Sequence, residues 1–157
     1  MIVLARHGET ADNAPPQRFS GRLEIGTTPG NLTARSPMFV TVSVPSLDRL
    51  KLAGTGNITP TEVDSPSLRV DLPGDGNIEA SGTAAKVELM LSGAGTLRLR
   101  GLIARDATAS LSGDGVIMLT ATRSLTANLS GTGTILYGGD PSKLTQRISG
   151  SGTISAG

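Results

Sequence analysis

From Leu50 onward, apolar and polar residues alternate with a period of two, and the alternation is broken at regular intervals by Gly-x-Gly. The phrase reads LKLAGTGNI from Leu50, LRVDLPGDGNI from Leu68 and VELMLSGAGTL from Val87. It returns as ATASLSGDGVI from Ala107, LTANLSGTGTI from Leu125 and LTQRISGSGTI from Leu144. The first glycines are Gly54, Gly74, Gly93, Gly113, Gly131 and Gly150, so successive copies lie 20, 19, 20, 18 and 19 residues apart. A fixed period of this length is the mark of a repeat architecture.

Within each copy the parity is kept. Leu68, Val70, Leu72, Gly74, Gly76 and Ile78 share one side, and Arg69, Asp71, Pro73, Asp75, Asn77 and Glu79 share the other. Alternation of this kind predicts a half-buried strand with one face inward and one in water. Both glycines fall on the inward parity, where loss of a side chain suits a corner or a close approach of backbone. No amphipathic helical pattern is sustained anywhere. The expected fold is all-β: a β-helix-type solenoid of about six rungs with a roughly 19-residue repeat, its strands pairing in parallel between rungs. At roughly 4.8 Å per rung, six rungs give a column on the order of 30 Å long. Thr59–Thr61, Asp64–Ser67, Ala80–Thr83 and Gly138–Pro141 read as the turns between strands.

Stacking would align the residues before each Gly-x-Gly (Ala53, Pro73, Ser92, Ser112, Ser130, Ser149) and those within it (Thr55, Asp75, Ala94, Asp114, Thr132, Ser151) as small polar ladders on the outside. Upstream, residues 1–30 lack the repeat and are read as a separate leader. The solenoid domain is expected over 31–157, beginning with a strand at Pro37–Pro45.

Composition narrows the function. Glycine numbers 21 of 157 residues and aromatics only three (Phe19, Phe39, Tyr137), too few for a bulky globular core or a base-stacking surface. The net charge of +1 is spread along the chain, so nucleic acid is not an expected partner. No apolar run reaches the length of a membrane span. Cysteine is absent, which excludes disulfides and thiolate metal sites. Met1–Asn13 has a short apolar run broken by charge and does not read as a signal peptide.

No cofactor, metal or catalytic residue is expected in the repeats. Gly-x-Gly without a following helix is not a dinucleotide loop. Asp75 and Asp114, the only aspartates between paired glycines, are too sparse for a calcium β-roll and read as solvated turn residues. Asp71, Asp75 and Glu79 share one parity and read as a solvated outer face. Three Asn-x-Ser/Thr sequons, at Asn31, Asn57 and Asn128, are given no function. His7 is the only histidine, so no serine in the chain can have a histidine partner.

Two resemblances add to this. Arg6-His7-Gly8-Glu9-Thr10, with Asn13 and Gly21-Arg22, resembles the first signature of the histidine phosphatase (phosphoglycerate mutase-like) superfamily. That resemblance implies His7 as nucleophile and Arg6 as phosphate ligand. The family's second histidine has no counterpart here, so a two-histidine pocket cannot form within one subunit. The expectation is a leader without activity, and a phosphoryl-transfer enzyme using His7, or its inactive remnant, is the alternative. Residues 23–157 are similar to the bacterial head GIN domain family of autotransporter-adhesin-type domains. The likeness is carried by Leu50–Ile58, the Ser-Gly-x-Gly copies, and Ile135–Pro141 ahead of Ser149–Ile154. It implies a β-helical, exported or envelope-attached domain with no established biochemical activity. The expected function is therefore a non-enzymatic structural or adhesive module. Its expected partners are an unidentified surface ligand and further copies of itself, met through open rung ends or polar faces.

Overall fold

The computed structural model describes residues 47–157. The leader and the strand expected at Pro37–Pro45 lie outside the described residues, as does the boundary placed between 30 and 31. The described chain is all β: β1 (Arg49–Lys51), β2 (Asn57–Ile58), β3 (Val63–Leu72), β4 (Asn77–Leu91), β5 (Thr96–Leu111), β6 (Val116–Leu129), β7 (Thr134–Gly138), β8 (Lys143–Ile148) and β9 (Thr153–Ala156). Every pairing is parallel, in the order β1-β3-β4-β5-β6-β7-β9, with β2 on β4 and β8 on β6. This is the β-solenoid the repeat predicts, of about six turns at a spacing near 19 residues.

Register shows how one phrase makes one coil. Leu68 pairs with Val87, Val87 with Ala107, Ala107 with Leu125 and Leu125 with Leu144. After the corner, Ile58 pairs with Ile78, then Leu97, Ile117, Ile135 and Ile154. Each coil thus has a long wall before Gly-x-Gly, a short wall after it and a connecting wall between. The inward rows fill the column. Leu68, Val70, Leu72, Ile78, Leu89, Leu97, Ile117 and Ile135 are completely buried. The rows also taper: Val70 and Leu89 give way to Ala109 and Ala127 in the later coils.

The corner is held by contact between backbones. A Cβ on Gly74 would lie 2.5 Å from the carbonyl oxygen of Gly54, and one on Gly93, Gly113, Gly131 or Gly150 would collide with the carbonyl of the first glycine one coil earlier. The second glycine clears room for a leucine of the coil below. A Cβ on Gly95, Gly115, Gly133 or Gly152 would lie 2.9, 2.7, 2.8 or 2.7 Å from Cδ2 of Leu72, Leu91, Leu111 or Leu129. The ladder continues through the corner, with Ser112 N donating to Leu91 O at 2.9 Å and Thr134 N to Gly115 O at 3.0 Å.

Two of the four expected turns are strand instead. Asp64–Ser67 lies inside β3 and Ala80–Thr83 inside β4. Asp64, Ser65 and Ser67 pair in register with Thr83, Ala84 and Lys86. Turn-type residues bend the chain here with pairing resumed on either side of Pro66 and Ala80, because the adjacent coil supplies the ladder partners. Gly82, at a φ of 132°, takes the bend in β4, and buried Ser65 is satisfied by donating to the carbonyl of Ser67 at 3.0 Å. The coils also differ in length: register shifts between Leu99 and Ile103, where β5 carries extra residues at Arg100–Leu102.

Side chains staple neighbouring coils where the connecting wall runs into the long wall. Arg123 Nε donates to Asp106 Oδ1 at 2.7 Å, its Nη2 reaches Oδ2, and Ser124 Oγ donates to Oδ1 at 2.6 Å. These bonds, first from Arg123 and then from Ser124, hold the Asp106 carboxyl down at about 2.

Two outcomes are expected. Gly93→Ala should cost about 2 kcal/mol by forcing neighbouring coils apart, lowering the melting temperature by roughly 10 °C. A carboxylate held below its unfolded value stabilises the fold above pH 4, and that contribution is lost as pH falls toward 2. Thermal melts between pH 4 and pH 2 should therefore fall less steeply for Asp106→Asn than for the wild type.

Candidate functional site

The outer side chains of the long wall form three rows. One runs Arg49, Arg69, Glu88, Thr108, Thr126, Thr145. The next runs Lys51, Asp71, Met90, Ser110, Asn128, Arg147. The third runs Ser67, Lys86, Asp106, Ser124, Lys143. Parallel pairing without slippage puts like positions of successive coils side by side, so residues some 20 apart become neighbours.

The wall divides by chemistry along its length. Its first coils carry a charged network: Arg49 and Arg69 both pair with Asp71, Arg69 Nε at 3.1 Å from Oδ1, and Arg69 also reaches Glu88 at 3.3 Å. Asp71 is only 8% exposed. It was expected on one solvated outer face with Asp75 and Glu79. The structure separates the three, because the corner intervenes: Asp71 lies on the long wall, Asp75 in the corner and Glu79 on the short wall. Covering by two arginines replaces the water that the sequence pattern assigns to Asp71.

The corner ladder is joined coil to coil. Asp75 Oδ1 accepts from the Ala94 backbone N–H at 3.0 Å, and Asp114 accepts from Thr132 Oγ1. Beside it, Asn77 Nδ2 donates to Asn57 Oδ1 at 3.0 Å. The exposed corner aspartates thus link coils as well as meeting solvent.

The middle of the long wall is different. Thr108, Ser110, Thr126, Asn128 and Thr145 stand in register, half-buried, and their side chains make no hydrogen bond to protein among the described residues. Sequence reasoning placed the polar ladders at the corner and missed this patch. Its signal was Thr-Ala-Ser, Thr-Ala-Asn and Thr-Gln-Arg at the same offset before each Gly-x-Gly. On the connecting wall, a groove of about 570 Å³ is lined by Pro66, Thr83, Ala85, Ile103 and Arg105 among others. Ile103 is 51% exposed there.

Among the described residues no three His, Cys, Asp or Glu side chains gather as a metal ligand set, and no helix is long and apolar enough to cross a membrane. His7 and Arg6 lie outside the described residues.

Comparison with known proteins gives the patch its context. No curated protein matches the chain. Among solved structures it is similar to a protein from Parabacteroides distasonis named "Putative lipid binding protein", with 25% identity and a TM-score of 0.60, over 73% of this chain and 56% of that one. The chain therefore spans little more than half the length of that relative. A family model described as "Putative auto-transporter adhesin, head GIN domain" matches residues 19–141, a span that takes in the coils up to Pro141. The chain belongs to the head GIN domain family.

Proposed function

We propose that this protein is a non-enzymatic structural or adhesive module of the cell envelope, and that the hydroxyl and amide patch of its long wall is the face that meets a surface partner. The observation that carries this is the patch itself. Thr108, Ser110, Thr126, Asn128 and Thr145 are aligned by backbone pairing and have no hydrogen-bond partner within the described protein. A rigid sheet presents such groups with little conformational entropy left to lose on binding. The family's description supports the adhesive reading. The name of the similar solved structure adds lipid as a partner class to be tested.

A second reading rests on Arg6-His7-Gly8-Glu9-Thr10, a phosphoryl-transfer enzyme or inactive remnant using His7. It lacks the second histidine that its chemistry needs, and the family match begins only at residue 19.

Immobilised full-length chain should capture whole bacterial cells. Ser110→Arg with Thr126→Arg, which crowds the patch without touching the core, should weaken capture at least tenfold with the melting temperature little changed. Capture of phosphatidylglycerol vesicles in place of cells would redirect the reading to lipid, and no capture of either would remove it. Acid-labile phosphohistidine that forms on the wild type and not on His7→Ala would overturn the non-enzymatic assignment.

A further inference from the structure

The long-wall patch is regular in two directions. Along the column, Thr108, Thr126 and Thr145 form one row, and Ser110 and Asn128 stand in the next, each step being one coil. Pairing runs without slippage from Ala107–Leu111 to Leu125–Leu129 and on to Leu144–Ile148. The rows are therefore straight, with steps of roughly 4.8 Å. Across the column the two rows are two residues apart in the strand, about 6.6 Å. Thr108, Ser110, Thr126 and Asn128 each have a described coil on both sides, with Glu88 and Met90 before them and Thr145 and Arg147 after. The array is set by these inner coils and not by either end of the column.

Its chemistry is equally uniform. Each hydroxyl donates and accepts, and the Asn128 amide does both. None of the five residues is charged. The wall's charges lie in its earlier coils, where Arg49, Arg69, Asp71 and Glu88 pair with one another, and at Arg147 in the last coil. In the row alongside, Asp106 is paired with Arg123. The centre of the patch thus offers an anionic headgroup nothing to pair with, and it suits a neutral partner rich in hydroxyls. Threonine is stiff at χ1, and Ala109 and Ala127, which alternate with the patch residues, are completely buried. Met90, 41% exposed, heads the row of Ser110 and Asn128 and gives the C–H face of a sugar ring an apolar contact.

We propose that the partner is an uncharged β-1,4-linked glycan, laid along the column with one sugar residue to each coil. This rests on the long wall being the adhesive face and adds the ligand class. In a β-1,4-linked chain the pyranose rings follow one another in an extended ribbon. Its residues repeat at close to the roughly 4.8 Å coil spacing, and equatorial hydroxyls stand along both edges. The row of Thr108, Thr126 and Thr145 meets one edge, and Ser110 and Asn128 meet the other. A glycan that coils or bends, such as α-1,6-linked dextran, leaves the rows after one step. Contacts made by linked sugar residues reinforce one another, so affinity grows with the number of coils engaged.

Retention of the full chain on microcrystalline cellulose and on chitin tests this. At least one of the two should hold the chain, and cross-linked dextran should not. Soluble β-1,4-linked glucose oligomers should release it, with potency rising roughly tenfold from two residues to four. Thr126→Val with Asn128→Leu removes hydroxyl and amide without adding bulk. It should lower retention roughly tenfold, as loss of two neutral hydrogen bonds requires, with the melting temperature little changed. Thr134→Val, on the short wall, should leave retention as it is. Retention on neither polymer, equal retention on dextran, release that does not depend on oligomer length, or undiminished retention of the double variant would each overturn the proposal. Cell capture that Ser110→Arg with Thr126→Arg weakens, without retention on either polymer, would remove the glycan alone and leave the long wall as the adhesive face. Loss of cell capture and retention together would remove both.

Discussion

Backbone meeting backbone at the Gly-x-Gly corner is the constraint on which the rest of this solenoid depends. A carbonyl of one coil occupies the space that a β-carbon of the next would need. That contact fixes coil height and register at one point per turn. Once the corner is fixed, the long wall before it and the short wall after it have no freedom to slip. A shift of one residue would turn every inward leucine to solvent. The corner therefore determines which residues form the core, although it contributes no side chain to it.

The core that results is narrow and aliphatic. Leucine, isoleucine and valine fill the early coils, and alanine takes over parts of the long-wall and connecting-wall rows later, at Ala107, Ala109, Ala121 and Ala127. The leucine beneath each second glycine interlocks one coil with the next, so packing along the axis and packing across it use the same side chains. Among the described residues Tyr137 is the one aromatic, and the narrow column is filled without a large ring at its centre.

The architecture was legible in the sequence because its two determinants are local: parity within a copy and spacing between copies. What was not legible depends on neighbours about 20 residues away. Asp64–Ser67 and Ala80–Thr83 carry turn-type residues, and only the coil alongside makes them strand. Asp71 reads as solvated until Arg49 and Arg69 are brought beside it. The patch of Thr108, Ser110, Thr126, Asn128 and Thr145 is three separate tripeptide offsets in the sequence and one surface in the fold. In a solenoid a motif is written across coils, at right angles to the chain, so a reading along the chain finds the scaffold before it finds the surface.

The same geometry sorts the outer polar groups by what they do. Asp75, Asp114 and Asp106 join one coil to the next. The hydroxyls and amide of the long wall make no such link among the described residues. A partner that repeats at the coil spacing would meet several of these groups at once, and multivalency would raise avidity without any change in the individual site.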